Sequence, residues 1–265
     1  VDTSPGCIYG GPNVKAIVIG DSHANAIVSA VSEARLQPED GVLEWTHSAC
    51  PVLMNAKTVP GRFDSNHRCH EFIGWVIDKL DQQYEGLPVV VISRWAQYAL
   101  GRNEKPSEAN IPYVYFGDQV FTQAKQEFLA AYADDMVRTV CRIAQNRKVY
   151  LLRPIPEMKI EVPAKLARAA IWGGEMNVRL SMDDYMKRQS WIWDAQDRAK
   201  LECGVEILDS TSHLCRDGYC HGAVDGRSLY YDDDHLSEFG NRALTPLFRR
   251  VFTHRNQNTE PLPAR

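Results

Sequence analysis

No run of about 18 apolar residues occurs anywhere in the chain, so no segment is expected to cross a bilayer by itself. Positive charge is also scarce. Lys plus Arg is 30 against 34 for Asp plus Glu, a net charge of −4. Nucleic-acid binders carry a concentrated basic face, so that class of partner is not expected. The few basic clusters, such as Arg249-Arg250, read as solvated helix ends. The sequence has no initiator Met and no signal peptide; its opening VDTSPG reads as that of a processed product or a piece of something longer. Nor is there an internal repeat or a Ser/Gly linker that would split it. Paired C-x-x-C spacing, the familiar mark of structural zinc, is missing too.

What is present is the composition of an ordinary globular protein, 44% hydrophobic and 24% charged over 265 residues. Seven cysteines are many for a reducing compartment. Cys50 with Cys69, and Cys215 with Cys220, sit in loop-like surroundings that suit disulfides. Zinc is the rival reading, because His67, Cys69 and His70 cluster, as do His213, Cys215, Cys220 and His221. Disulfides are preferred for want of zinc spacing, and they imply an extracytoplasmic domain. Cys141 and Cys203 lie in helical patterns as buried thiols or a third pair, and Cys7 is left over.

Residues 14–19, 42–46, 89–93, 148–153 and 205–209 are short, rich in Val, Ile and Leu, and largely without alternation, as strands covered on both faces are. Helical stripes fall between them. They run through Ala24–Ala34, Cys69–Leu80, Phe128–Ile143, more weakly Tyr185–Gln196, and Phe239–Val251, with Ser237 as the N-cap of the last. Alternating strands and helices predict a three-layer α/β/α domain around a flavodoxin-like parallel five-stranded sheet of order 2-1-3-4-5. It should span residues 14–252, with 1–13 an N-terminal linker segment and 253–265 a flexible tail. Residues 101–120 and 155–182 read as irregular excursions from it.

In such a sheet ligands bind beyond the carboxyl ends of the strands, where the order reverses. Ser22 of IVIGDSHANAI follows strand 1 and Ser93-Arg94-Trp95 follows strand 3, so both border one crevice. Ser22 is either a nucleophile or merely the N-cap of the next helix. Far downstream, Asp232 and His235 stand three apart in LYYDDDHLSEFGN, a spacing that sets a carboxylate beside an imidazole Nδ1. The same acids could form a solvated turn; a calcium site is disfavoured, because the spaced ligands of a calcium loop are missing.

GDSH after the first strand and D-x-x-H before the last helix resemble the SGNH (GDSL-type) hydrolase superfamily. With ACPVL at 49–53, LRPIPE at 152–157 and CRDGYC at 215–220, the chain is similar over residues 7–252 to a particular branch. That branch is the periplasmic SGNH domain fused to a membrane acyltransferase-3 module, which O-acetylates bacterial surface polysaccharides such as lipopolysaccharide O-antigen. The resemblance implies Ser22 as nucleophile, His235 as general base and Asp232 as its orienting acid. It implies an O-acetyltransferase at the periplasmic face of the inner membrane. Its acceptor would be a cell-envelope glycan, and its acyl donor would come from a membrane acyltransferase module of the same polypeptide. The isolated domain is expected to be monomeric.

The chain departs from the superfamily where the oxyanion hole is built. The loop after strand 2 reads THSACP, strand 3 ends in SRWAQY, and no G-x-N-D is present. The substitutes considered are the backbone N–H of Ser22, Arg94, and the loop at Ser48. His23, Trp95 and Tyr98 are taken as cleft-lining or sugar-stacking residues, and His47, His67 and His70 as structural or exposed. The chemistry calls for no metal and no organic cofactor. A secreted carbohydrate esterase and a non-catalytic glycan-binding module are the alternative functions.

Overall fold

Ala16 and Val18 turn to one side of the first long strand and Ile17 and Ile19 to the other, and all four are buried. Apolar side chains on both faces explain why the strand runs show no polar alternation. The computed structural model describes residues 6–61 and 68–253. His67 lies outside the described residues, as do 1–5 and most of the expected tail, 254–265.

The central sheet has six strands: β1 (Ile8–Gly10), β2 (Asn13–Gly20), β3 (Asp40–Thr46), β4 (Val89–Ile92), β5 (Val149–Leu152) and β6 (Glu206–Leu208). Their order is β1-β3-β2-β4-β5-β6. The last five are parallel and reproduce the expected 2-1-3-4-5 order. β1 was not anticipated: residues 8–10, expected to be linker, pair antiparallel with Gly41–Leu43 of β3. Three residues with one partly buried side chain are too short a pattern to separate from a loop.

The helices are α1 (Ser22–Glu33), α2 (Cys69–Gln83), α3 (Trp95–Leu100), α4 (Gln126–Ile143), α5 (Val162–Trp172), α6 (Met182–Cys203), the single turn α7 (Thr211–Leu214), and α8 (Glu238–Thr253). Ile27 and Val31 of α1 join Leu244 and Phe248 of α8 in the core on one face of the sheet. Ile73 of α2, Phe128 and Met136 of α4, and Ile192 of α6 fill the other. α5 lies within a stretch the sequence suggested was irregular, and α3 falls where no helix was expected. Ser237 Oγ accepts the Gly240 N–H at 3.2 Å, the capping bond expected of it.

Three disulfides brace this frame: Cys50–Cys69, Cys215–Cys220 and Cys141–Cys203, the last tying α4 to the end of α6. Six of the seven cysteines are thereby consumed, and Cys7 is free and exposed. The described zinc candidates among them are therefore covalently paired.

Candidate active site

Gly20 ends β2, and a Cβ there would stand 1.8 Å from the carbonyl oxygen of Ile92. Only glycine lets β2 approach β4 this closely, and that approach places the following turn at the switch point of the sheet. Asp21, not Ser22, is the N-cap of α1. Its buried carboxylate accepts His23 N–H at 2.9 Å, and Ser93 Oγ, Arg94 N–H and Tyr98 OH at 2.8 Å each. Asp21 thus ties the end of β2 to the segment after β4. Ser22 becomes the first residue of α1, where its backbone N–H has no intrahelical partner.

The other half of the site is a tight loop. Tyr230 and Leu236 form an antiparallel bridge, and Tyr231 N–H donates to His235 O at 2.8 Å. Asp232 Oδ1 accepts the N–H groups of Asp234 at 2.9 Å and His235 at 2.7 Å, an Asx-type turn made by the acid itself. From the 155–162 segment, Met158 and Val162 donate to the carbonyls of Asp233 and Asp232. The loop is held from both sides.

These two pieces meet across 213 residues. His235 Nε2 lies 2.8 Å from Ser22 Oγ, and His235 Nδ1 lies 2.8 Å from Asp232 Oδ2. A cleft of about 490 Å³ opens beside them, lined by Ser22, Asn25, Tyr231, Asp232, His235 and Glu238 among others. Burial works against a charge on His235, but Asp232 and Asp234 outweigh it and push the imidazole up to about 10. The Asp232 carboxyl is also opposed by burial, yet the hydrogen bonds from His235 hold it well below the usual carboxylate range.

The geometry corrects four expectations. Arg94 has five N–H donors, and all are committed: Nε and Nη2 to Glu157, Nη2 also to Glu104, and Nη1 to Gln97 and Asp234. No donor remains for an oxyanion. Trp95 and Tyr98 are 0% and 2% exposed, part of the core rather than a sugar platform. His23, 3% exposed, does not line the cleft. Its ring packs on that of His235 with centroids 4.5 Å apart, and burial lowers its basicity against the pull of Asp234 and Asp21. Ser48 is an exposed loop residue; the neighbouring His47 N–H donates to Gly20 O at 3.0 Å, which keeps that loop beside the Ser22 turn.

Sequence reading missed the acids behind the histidine. Glu157, 2% exposed at the end of the LRPIPE run, accepts Arg94, Arg188 and Gln189, and those arginines hold its carboxyl at about 2 although burial opposes the charge. Asp234 pairs with Arg94 and lies 2.8 Å from His235 Nδ1. Burial, then Asp234 and Glu104, push the neighbouring Asp233 up to about 7. An acidic residue just past a parallel strand was the available signal for Glu157. Among the described residues, His23, Asp234 and His235 form one group with ligand-type atoms in mutual reach, and Glu104, Asp233 and Asp234 another. A cation in the second would have to share Glu104 and Asp234 with the Arg94 guanidinium.

A family model described as "SGNH domain (fused to AT3 domains)" matches residues 2–250. Curated proteins provide no match. Among solved structures, the periplasmic domain of a lipopolysaccharide acetyltransferase from Salmonella ser. Paratyphi A superposes with a TM-score of 0.63 at 14% identity, covering 90% of this chain and 83% of that one. A native aryl esterase from M. smegmatis gives 0.51 at 14% identity, over 89% of this chain and 98% of that one. At these identities the likeness is one of fold.

Proposed function

The chain belongs to the family of SGNH domains fused to AT3 domains, and from that premise we propose that it is a serine-dependent O-acyltransferase, moving an acetyl group onto a hydroxyl of a bacterial cell-envelope glycan. The observation that carries this reading is the unbroken Ser22–His235–Asp232 relay, 2.8 Å at each link, at the mouth of an open cleft. His235 Nε2 takes the proton of Ser22 Oγ as the oxygen attacks the donor's acyl carbon, and returns it to the departing donor group. The acyl-Ser22 ester is then attacked by a glycan hydroxyl whose proton passes to the same Nε2. Expelled Ser22 Oγ recovers that proton, so the residue ends as it began.

With Arg94 committed elsewhere, the developing oxyanion is assigned to the backbone N–H of Ser22 at the positive end of α1, helped by the loop at Ser48. The acceptor sugar is assigned to Tyr231, which is 77% exposed beside the relay and replaces Trp95 and Tyr98 in that role. No helix among the described residues is long and apolar enough to cross a membrane. In this reading the acyl donor comes from a membrane acyltransferase module, at the periplasmic face of the inner membrane. Three disulfides and a resemblance in fold to a periplasmic acetyltransferase domain support that location.

A fluorophosphonate probe should label the wild type and not Ser22→Ala; equal labelling of both would remove Ser22 as nucleophile. Release of p-nitrophenol from its acetate should accelerate when an acceptor glycan is added. Turnover indifferent to every acceptor would favour the second reading, a carbohydrate esterase. The same relay serves water equally well, and the fold extends over nearly all of an aryl esterase.

A further inference from the structure

Two carboxylates, not one, stand at Nδ1 of His235. Asp232 Oδ2 makes the hydrogen bond, and Asp234 Oδ1 lies at the same 2.8 Å. Their surroundings differ: the Asp232 side chain is 26% exposed, that of Asp234 only 4%. A carboxylate that deep needs a partner to remain charged. Asp234 has one in Arg94, which bears on its Oδ2. Arg94 is fixed in turn by Glu157 at 2.7 Å and Glu104 at 2.9 Å, and Glu157 by Arg188. From α1, His23 closes the remaining side, with Nε2 3.8 Å from Asp234 Oδ1.

We infer that Asp234 is a second positioning acid for His235, a buried carboxylate held by the Arg94–Glu157 clamp that shares the Nδ1 edge with the more exposed Asp232. This rests on the reading of His235 as the base of the proposed transfer. Asp234 acts through the imidazole and touches no substrate. It keeps the Nδ1 proton directed at the acids when Asp232 moves at the solvent edge, and it adds a second negative charge against the imidazolium that forms when Nε2 takes the serine proton. Neither acid accepts that proton; it stays on His235 until the leaving group takes it. The charged and titratable groups facing the pair are His23 from α1, Arg94 ahead of α3, Glu104, Glu157 and Arg188 beyond it, and Asp232 and Asp233 in the same loop.

The test is an NMR pH titration of the His235 imidazole in the 265-residue chain, set beside the pH profile of Ser22 phosphonylation. Wild type, Asp234→Asn, Asp232→Asn and the double variant are compared. A neutral imidazole is the active base, so reactivity rises with pH through its pKa. Asp234→Asn should lower the pKa by roughly one to three units, moving the acid limb to lower pH by the same amount. Asp232→Asn alone should keep His235 above its ordinary 6.5 and lose far less than the roughly 10⁴-fold typical of a triad with one acid. The double variant should lose what each single variant keeps. Asp234→Asn with pKa and limb unmoved would overturn the inference, as would Asp232→Asn with His235 back at 6.5. If Asp234→Asn does not fold, the Asp232→Asn titration decides alone. Failure of the proposed function would look different: an unlabelled wild-type Ser22 would remove the nucleophile, and turnover indifferent to acceptors would remove the transferase, while His235 titrated as described in either case.

Discussion

At Gly20 the presence or absence of one carbon decides whether Ser22 can face His235. A Cβ would collide with Ile92 O at 1.8 Å and also crowd Ala24, so Gly20→Ala must push β2 from β4 or tilt α1. Either movement breaks the four hydrogen bonds gathered by Asp21 and carries Ser22 away from His235. Overpacking costs about 1–3 kcal/mol, and a shift of about 1 Å at Ser22 would cost the proposed reaction roughly 10²-fold in rate. Chemical denaturation and phosphonylation rates of Gly20→Ala should both show the loss. A variant with wild-type stability and reactivity would mean that the turn tolerates the added carbon. That Ser22, Asp232 and His235 meet could be read from residue type and position, because a strand end and a D-x-x-H spacing restrict where side chains point. Arg94 could not be read in that way. Whether a guanidinium faces substrate or carboxylates depends on Glu104, Glu157 and Asp234, which reach it from 10, 63 and 140 residues away.

Among the elements, the disulfides differ in what they restrain. Cys141–Cys203 closes a separation of 62 residues and joins two packed helices, Cys50–Cys69 closes 19, and Cys215–Cys220 only 5, across an antiparallel pair of strands. If they act mainly by limiting the unfolded chain, their removal costs about 4, 3 and 2 kcal/mol respectively. Urea midpoints of the three paired Cys→Ser variants should fall in that order; a reversed order would point to strain or contacts in the folded state instead. The strands and long helices were legible because buried runs and apolar stripes repeat over enough residues to stand out. α3, α5 and β1 were not. α3 has six residues, α5 keeps an exposed end at Ile171 and Trp172, and β1 depends on the partner that β3 provides.

The whole molecule gathers a band of buried charge at one edge of its sheet, and this gives its stability a pH dependence. Asp233 has a folded pKa near 7, above its ordinary 3.8. The stability it contributes is therefore complete below 3.8 and is lost as pH rises through 7. Glu157 has the opposite sign. Its folded pKa of about 2 lies below 4.5, so its contribution is present above 4.5 and fades as pH falls toward 2. Asp233→Asn stays neutral throughout, so its gain in Tm over wild type should be clearly larger at about pH 8.5 than at about pH 5. An equal difference at both pH values would show that Asp233 carries no such penalty.

The sequence by itself determined the layered α/β architecture, the strand order and the two chain segments that hold serine, aspartate and histidine, since these follow from local periodicity and from residues at strand ends. The tertiary structure decided which polar groups are left free to act. It buried Trp95, Tyr98 and His23, occupied every donor of Arg94, and brought Asp234 to the same nitrogen as Asp232. Burial and pairing are properties of surroundings assembled from distant segments. The short stretch around a residue does not contain them.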